Sequence, residues 1–215
     1  MAKVFQMAAG LLGWFALALQ YGLVMSGDFD TGPFARTINF FSYFTILTNI
    51  LVALALTLPI IAPQSALGQF FSRPTVRTAI TTYIIIVMVV VYFILRHLTN
   101  LTGWDLVADV ILHYVMPILF VIDWLFFVSK ESLEPKNPIG WLTYPIVYLV
   151  WTFIHGAYSG FYPYPFLNNG ELGITRVLLN EAGLLIVFLV LGSILVTGGR
   201  LIDKVCKIRS VNQPN

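Results

Sequence analysis

Apolar residues run almost unbroken through six stretches of this chain, roughly 4–25, 39–62, 76–96, 104–128, 140–160 and 174–198. A helix crossing a bilayer takes about 20 mostly apolar residues, and each stretch meets that length. Between them stand breakers and polar residues: Ser26-Gly27-Asp28, Ala62-Pro63-Gln64, Leu98-Thr99-Asn100, Glu134-Pro135-Lys136-Asn137-Pro138 and Tyr162-Pro163-Tyr164-Pro165. The runs are continuous, unlike the alternating strands of about 10 residues that build a transmembrane β-barrel, so that class is excluded. Trp14, Tyr43, Trp104, Trp124, Trp141 and Tyr144 lie towards segment ends, where interfacial aromatics collect. The first run, Val4 to Ser26, outlasts the roughly 7–15 apolar residues of a signal peptide, and no clean small-x-small cleavage site follows; it reads as a retained helix. The pattern predicts an all-α polytopic membrane protein, a bundle of six transmembrane helices. No internal repeat divides it, so residues 1–215 read as a single domain.

Composition agrees with that pattern. Apolar residues make up 58% and charged residues 10% of the chain, against roughly 25% charged in a soluble domain. A globule of this size cannot bury so much apolar surface, so the excess faces lipid. A net charge of +2 argues against nucleic acid as a partner. The single cysteine, Cys206, excludes an intrachain disulfide and a Cys-based zinc site.

Lysine and arginine orient the bundle. Lys3, Arg73, Arg77, Lys130, Lys136, Arg200, Lys204, Lys207 and Arg209 fall on one side, and Arg36, Arg96 and Arg176 on the other. Nine against three places both termini in the cytoplasm.

Polar groups within the spans carry the candidate chemistry, because an ionisable side chain at mid-helix costs roughly 2.5–3.5 kcal/mol on insertion scales. Span 2 carries Ser42, Thr45, Thr48 and Asn49 on one helical face, and span 4 carries Asp105, Asp109 and His113 in one stripe. Arg96 and His97 close span 3, Thr152, His155 and Ser159 lie in span 5, and Asn180 and Glu181 in span 6. At ~1.5 Å per residue from the outer ends, Thr45, His113, His155 and Glu181 fall about 8–13 Å deep. The inner half reads as bland, with Asp123 its main exception and a snorkelling end residue the ordinary account of it.

A threonine hydroxyl near an imidazole suits nucleophilic acyl transfer, since the hydroxyl needs a base to take its proton. Asp109 stands one turn before His113 and can fix its ring, while Arg96, His155 or Asn180 can meet an oxyanion. Thr48, Asn49 and Glu181 complete the supporting or substrate-binding set, and this chemistry needs no cofactor. Two other readings stay open. Asp109, His113, His155 and Glu181 could ligate a metal ion, and His113 with His155 a haem. A transporter or lipid-binding protein could use the same groups as a binding site or proton relay without catalysis.

The run Tyr43-Phe44-Thr45-Ile46-Leu47-Thr48-Asn49 opens span 2, and Leu112-His113 lies in span 4. Trp151-Thr152-Phe153-Ile154-His155 is followed by Gly160 and by Tyr164-Pro165-Phe166-Leu167. In this order the motifs resemble the androgen-induced membrane hydrolase family and its bacterial integral membrane relatives. The resemblance implies a catalytic Thr and His within the membrane, corresponding to Thr45 and His113. It further implies a lipid partner, with activity on esters between fatty acids and hydroxy fatty acids. The bacterial relatives imply the cytoplasmic (inner) membrane as its place.

Overall fold

The computed structural model describes residues 1–27, 31–98 and 100–211, with side chains as far as Val205. It is all-helical, without strands among the described residues. The elements are α1 (Ala2–Ser26), α2 (Pro33–Phe41), α3 (Phe44–Ile61), α4 (Ala66–Ser72) and α5 (Pro74–Val90), which runs on as a π-helical turn, Val91–Leu95. Next come α6 (Gly103–Val110), a second π turn (Ile111–Val115), α7 (Met116–Phe127), α8 (Asn137–Trp141), α9 (Thr143–Ser159), α10 (Asn169–Leu172) and α11 (Ile174–Val211). Five helices are long and apolar enough to cross a membrane: Ala2–Ser26, Phe44–Ile61, Pro74–Leu95, Gly103–Phe127 and Ile174–Val205. That is compatible with an integral membrane protein.

Three predicted spans differ from the observed helices in ways that matter. The run 39–62 is not continuous: α2 ends at Phe41, the chain is extended at Tyr43, and α3 begins at Phe44. Ser42 therefore leaves the polar stripe, and Thr45 sits in the first turn of a helix. The run 140–160 is divided at Leu142 between α8 and a 17-residue α9. The last run extends well past 198, to Val211.

Close packing of α1 on α3 explains why the bundle starts with so many small residues. A side chain at Gly10 would meet Thr57 Cγ2 at 2.5 Å, and one at Gly13 would meet Met116 Cε at 2.9 Å. Ala16 and Ala53 are fully buried in the same seam. Since lipid is as apolar as the side chains, such close backbone approach is what holds membrane helices together.

The end of the bundle that holds the N-terminus of α1 is not bland. Arg77 on α5 and Asp123 on α7 form a buried ion pair, and Gln6 Nε2 on α1 donates to Asp123 Oδ1 at 2.7 Å. Trp124 Nε1 donates to Thr78 Oγ1 at 2.9 Å, and buried Lys130 donates to the carbonyls of Trp124 and Leu125, closing the end of α7. Asp123 is thus a fully buried member of an interhelical network and does not snorkel to water. Arg77 and Lys130, counted among aqueous loop charges, are internal groups held by partners within the protein, although Arg77 Nε is left without a hydrogen-bond acceptor among the described residues.

Candidate active site

At the opposite end, the α2–α3 break decides where Thr45 points. The first amides of a helix have no partner in their own ladder. Thr45 N–H donates instead to Tyr164 Oη at 3.2 Å, and Thr45 Oγ1 lies 3.2 Å from the same phenol oxygen. The break is pinned from α9: Tyr148 O–H donates to the Ser42 carbonyl at 2.9 Å, and Trp151 Nε1 to Ser42 Oγ at 3.1 Å. Thr48 pairs with Tyr144 Oη at 3.1 Å, further down α3.

Tyr164 is brought there by a rigid loop. Gly160, in the left-handed conformation at φ 72°, ends α9. Pro163 and Pro165 flank the tyrosine, and Asn180 Nδ2 on α11 donates to the Phe166 carbonyl at 2.9 Å. Burial pushes the Tyr164 phenol up to about 12, with its hydrogen bonds to Thr45 opposing the shift, so it is a neutral O–H at physiological pH. Its oxygen accepts the Thr45 amide, which leaves its proton available to Thr45 Oγ1.

His113 lies in the second π turn. The Met116 amide reaches back to the Ile111 carbonyl, five residues away. Leu112's carbonyl would then need the amide of residue 117, which is a proline and has none. Asn49 Nδ2 supplies the missing donor at 3.2 Å while also donating to the Thr45 carbonyl at 2.9 Å. One buried amide on α3 thereby stitches the Thr45 turn to the His113 turn.

The ring of His113 is oriented by its own helix. Its Nδ1 lies 2.7 Å from Asp109 Oδ1 and 3.1 Å from the Asp109 carbonyl oxygen. Both neighbours accept hydrogen bonds, so in the neutral ring Nδ1 carries the proton and Nε2 is the bare nitrogen. No hydrogen bond occupies Nε2 among the described residues.

Thr45 and His113 line one cleft of about 750 Å³, together with Arg96, Asp105, Asp109 and Tyr164. Residues of both π turns contribute to its wall, Val91 and Leu95 from one and Leu112, His113 and Tyr114 from the other. Such interruptions of the α ladder are common at functional sites. Arg96 is exposed at the rim, stacked 4.0 Å over the Tyr92 ring. Thr45 also forms part of a narrow apolar slot of about 50 Å³ between α3, α5, α9 and α11, which contains Glu181. It stands at the wall between a polar cleft and an apolar slot.

The remaining sequence candidates lie elsewhere. Thr48 and Asn49 are fully buried behind the cleft as packing and stitching groups. His155 stacks on Trp151 and binds Asn39 Oδ1 at 2.9 Å, so it does not join the Thr45–His113 cleft. Asn180 holds the Tyr164 loop. Thr152 bonds the Tyr148 carbonyl on its own helix, the ordinary behaviour of a helical threonine. Among the described residues no three His, Cys, Asp or Glu side chains converge as a metal ligand set.

Sequence reasoning did not pick out Tyr164 as a site residue. Its signal was available: a tyrosine held between two prolines is a polar tip on a stiff backbone. The chain matches no protein-family model, no curated protein and no solved structure.

Proposed function

We propose that this protein is an intramembrane lipid-ester hydrolase in which Thr45 is the nucleophile and His113 the base, as the resemblance to the androgen-induced membrane hydrolases implies. The observation that carries the reading is the shared cleft, where a first-turn threonine and a histidine with its Nδ1 held by Asp109 and its Nε2 unengaged face one space. The chain crosses the membrane six times in this reading. At ~1.5 Å per residue α9 reaches about 26 Å, near the roughly 30 Å of a hydrocarbon core, and α8 extends it. With Arg77 and Lys130 set aside, Lys3, Arg73, Lys136, Arg200, Lys204, Lys207 and Arg209 still outnumber Arg36, Arg96 and Arg176. Both termini are therefore cytoplasmic, and the cleft opens on the far side of a bacterial cytoplasmic membrane.

The chemistry follows from the donors and acceptors. Thr45 Oγ attacks the acyl carbonyl while its proton passes to His113 Nε2. Asp109 keeps the Nδ1 proton in place and faces the positive charge the ring acquires. As the acyl group arrives, the Tyr164 O–H turns from Thr45 Oγ to the tetrahedral oxyanion, and the Thr45 amide at the α3 N-terminus, released from the phenol oxygen, donates to the same oxyanion. Collapse expels the alkoxide, which takes the proton from His113 and leaves as an alcohol. Water then attacks the threonine ester, His113 Nε2 accepts its proton, and the carboxylic acid departs as Thr45 Oγ recovers that proton. Thr45 and His113 share no hydrogen bond in the free protein, as is usual before substrate draws catalytic groups together.

Labelling with a fluorophosphonate hydrolase probe tests the reading. Thr45→Ala and His113→Ala are each expected to abolish labelling while eluting as folded protein, and Thr45→Ser to retain part of it. Unchanged labelling in the alanine variants removes the proposal. A binding or transport role without catalysis is the second reading, favoured by the helix N-terminus that the Ser42–Tyr43 break leaves inside the protein. That reading gains if no labelling occurs even in the native chain.

A further inference from the structure

Among the described residues Glu181 is the one acidic group lining the apolar slot, and none of them gives it a hydrogen-bond or ion-pair partner. It is 8% exposed on α11, yet no hydrogen bond or ion pair reaches its carboxyl group among the described residues. The other polar groups of the slot are committed. Tyr148 donates to the Ser42 carbonyl, and Tyr164 is engaged with Thr45. The rest of the lining is hydrocarbon, from Ile86, Val87 and Val90 on α5 to Leu184 and Phe188 on α11. Its carboxyl oxygens are not wholly sealed from solvent, and their incomplete hydration costs up to about 1–3 kcal/mol. The insertion cost is tolerable if a ligand brings the missing partner.

We infer that the slot is a binding site for an apolar chain carrying a hydrogen-bond donor, an alcohol or an ammonium group, which Glu181 receives. The apolar lining excludes a highly charged or sugar-like ligand, since nothing else in the slot could take up its polar groups. The volume of about 50 Å³ seats the donor-bearing end of a slender chain, a few methylene groups, and no bulky ring, with the rest of the chain running out of the slot. The site deepens the proposed hydrolase only in the sense that, if that reading holds, the chain seated here would be part of the ester presented to Thr45. Glu181 is then a specificity-determining residue, reading a polar substituent placed along an otherwise greasy substrate.

The experiment needs no bond cleavage. The full chain, purified into lipid nanodiscs, is photolabelled with three diazirine-bearing probes of equal length: an octylamine, an octanol and an octane chain. Capture on peptides of α5 and α11 is expected to favour a donor-ended probe over the octane chain by about tenfold. Glu181→Leu and Glu181→Met are expected to erase that preference, and whichever of them elutes as folded protein decides the test. Glu181→Gln sorts the two donors: ammonium capture falls with the loss of the carboxylate, and alcohol capture persists through the amide oxygen. Equal capture of all three probes by the native chain, or a preference that survives the apolar variants, overturns the inference. Absent ester turnover would count against Thr45 chemistry alone, and absent donor preference against the Glu181 site alone.

Discussion

Asp109→Asn is expected to lower kcat for ester hydrolysis by on the order of 10³-fold, with KM little changed. The carboxylate accepts from His113 Nδ1 at 2.7 Å and so dictates which ring nitrogen is bare. An amide at residue 109 can turn its NH₂ towards the ring, which then carries its proton on Nε2 and can no longer take one from Thr45. Because Asp109 is about one-quarter exposed, water relieves part of this loss, and the effect falls short of that of a wholly buried carboxylate. Asp105 provides the control. It lines the same cleft one turn earlier, but no side-chain hydrogen bond engages it among the described residues. Asp105→Asn is expected to change kcat by less than about threefold, a surface-type effect. Steady-state kinetics on the two variants check the assignment; equal losses, or a native rate in Asp109→Asn, contradict it.

The second large effect is on stability, at the other end of the bundle. Arg77→Ala and Asp123→Ala are each expected to cost about 3–5 kcal/mol, because each leaves a buried charge of the opposite sign without its partner. Both groups are almost completely buried, at 7% and 0% side-chain exposure, so solvent cannot take over. The double replacement Arg77→Met with Asp123→Leu is expected to recover most of that loss, since it removes both charges and keeps the volume. Gln6→Leu removes only the neutral donor to Asp123 and is expected to cost about 1–2 kcal/mol. Thermal unfolding of each variant in the same detergent, followed by tryptophan fluorescence, gives the order of stability. A double variant no better than the singles would show that the charges do more than satisfy each other.

The helices were legible because lipid imposes one rule, an apolar run of sufficient length, and chain composition follows it directly. The stripe Asp105, Asp109, His113 was legible for the same reason of periodicity, and Asp109 does reach the His113 ring. What escaped was every feature set by tertiary contact. Phe40 to Ile46 contains no glycine or proline, so nothing local marks the break at Ser42–Tyr43; hydrogen bonds from Tyr148 and Trp151 hold it open. Arg77 stands three residues after Pro74, where a loop cation and a buried ion-pair member look alike. The π turn around His113 had a partial signal in Pro117, but the donor that compensates it, Asn49, lies 63 residues away. Glu181 does share a slot with Thr45, but His155, placed near Thr45 by depth alone, goes to a different neighbourhood, beside Asn39 and Trp151, because depth along a helix says nothing about which face it presents.

The central claim is that the Thr45 hydroxyl becomes acylated by a lipid ester. The measurement that tests it most directly is peptide mass spectrometry of the purified protein quenched in acid during turnover of a medium-chain aryl ester. The account predicts an acyl adduct on Thr45 in the native chain and none in Thr45→Ala or His113→Ala. Turnover that proceeds with no adduct on Thr45, or with the acyl group on another residue, would contradict it.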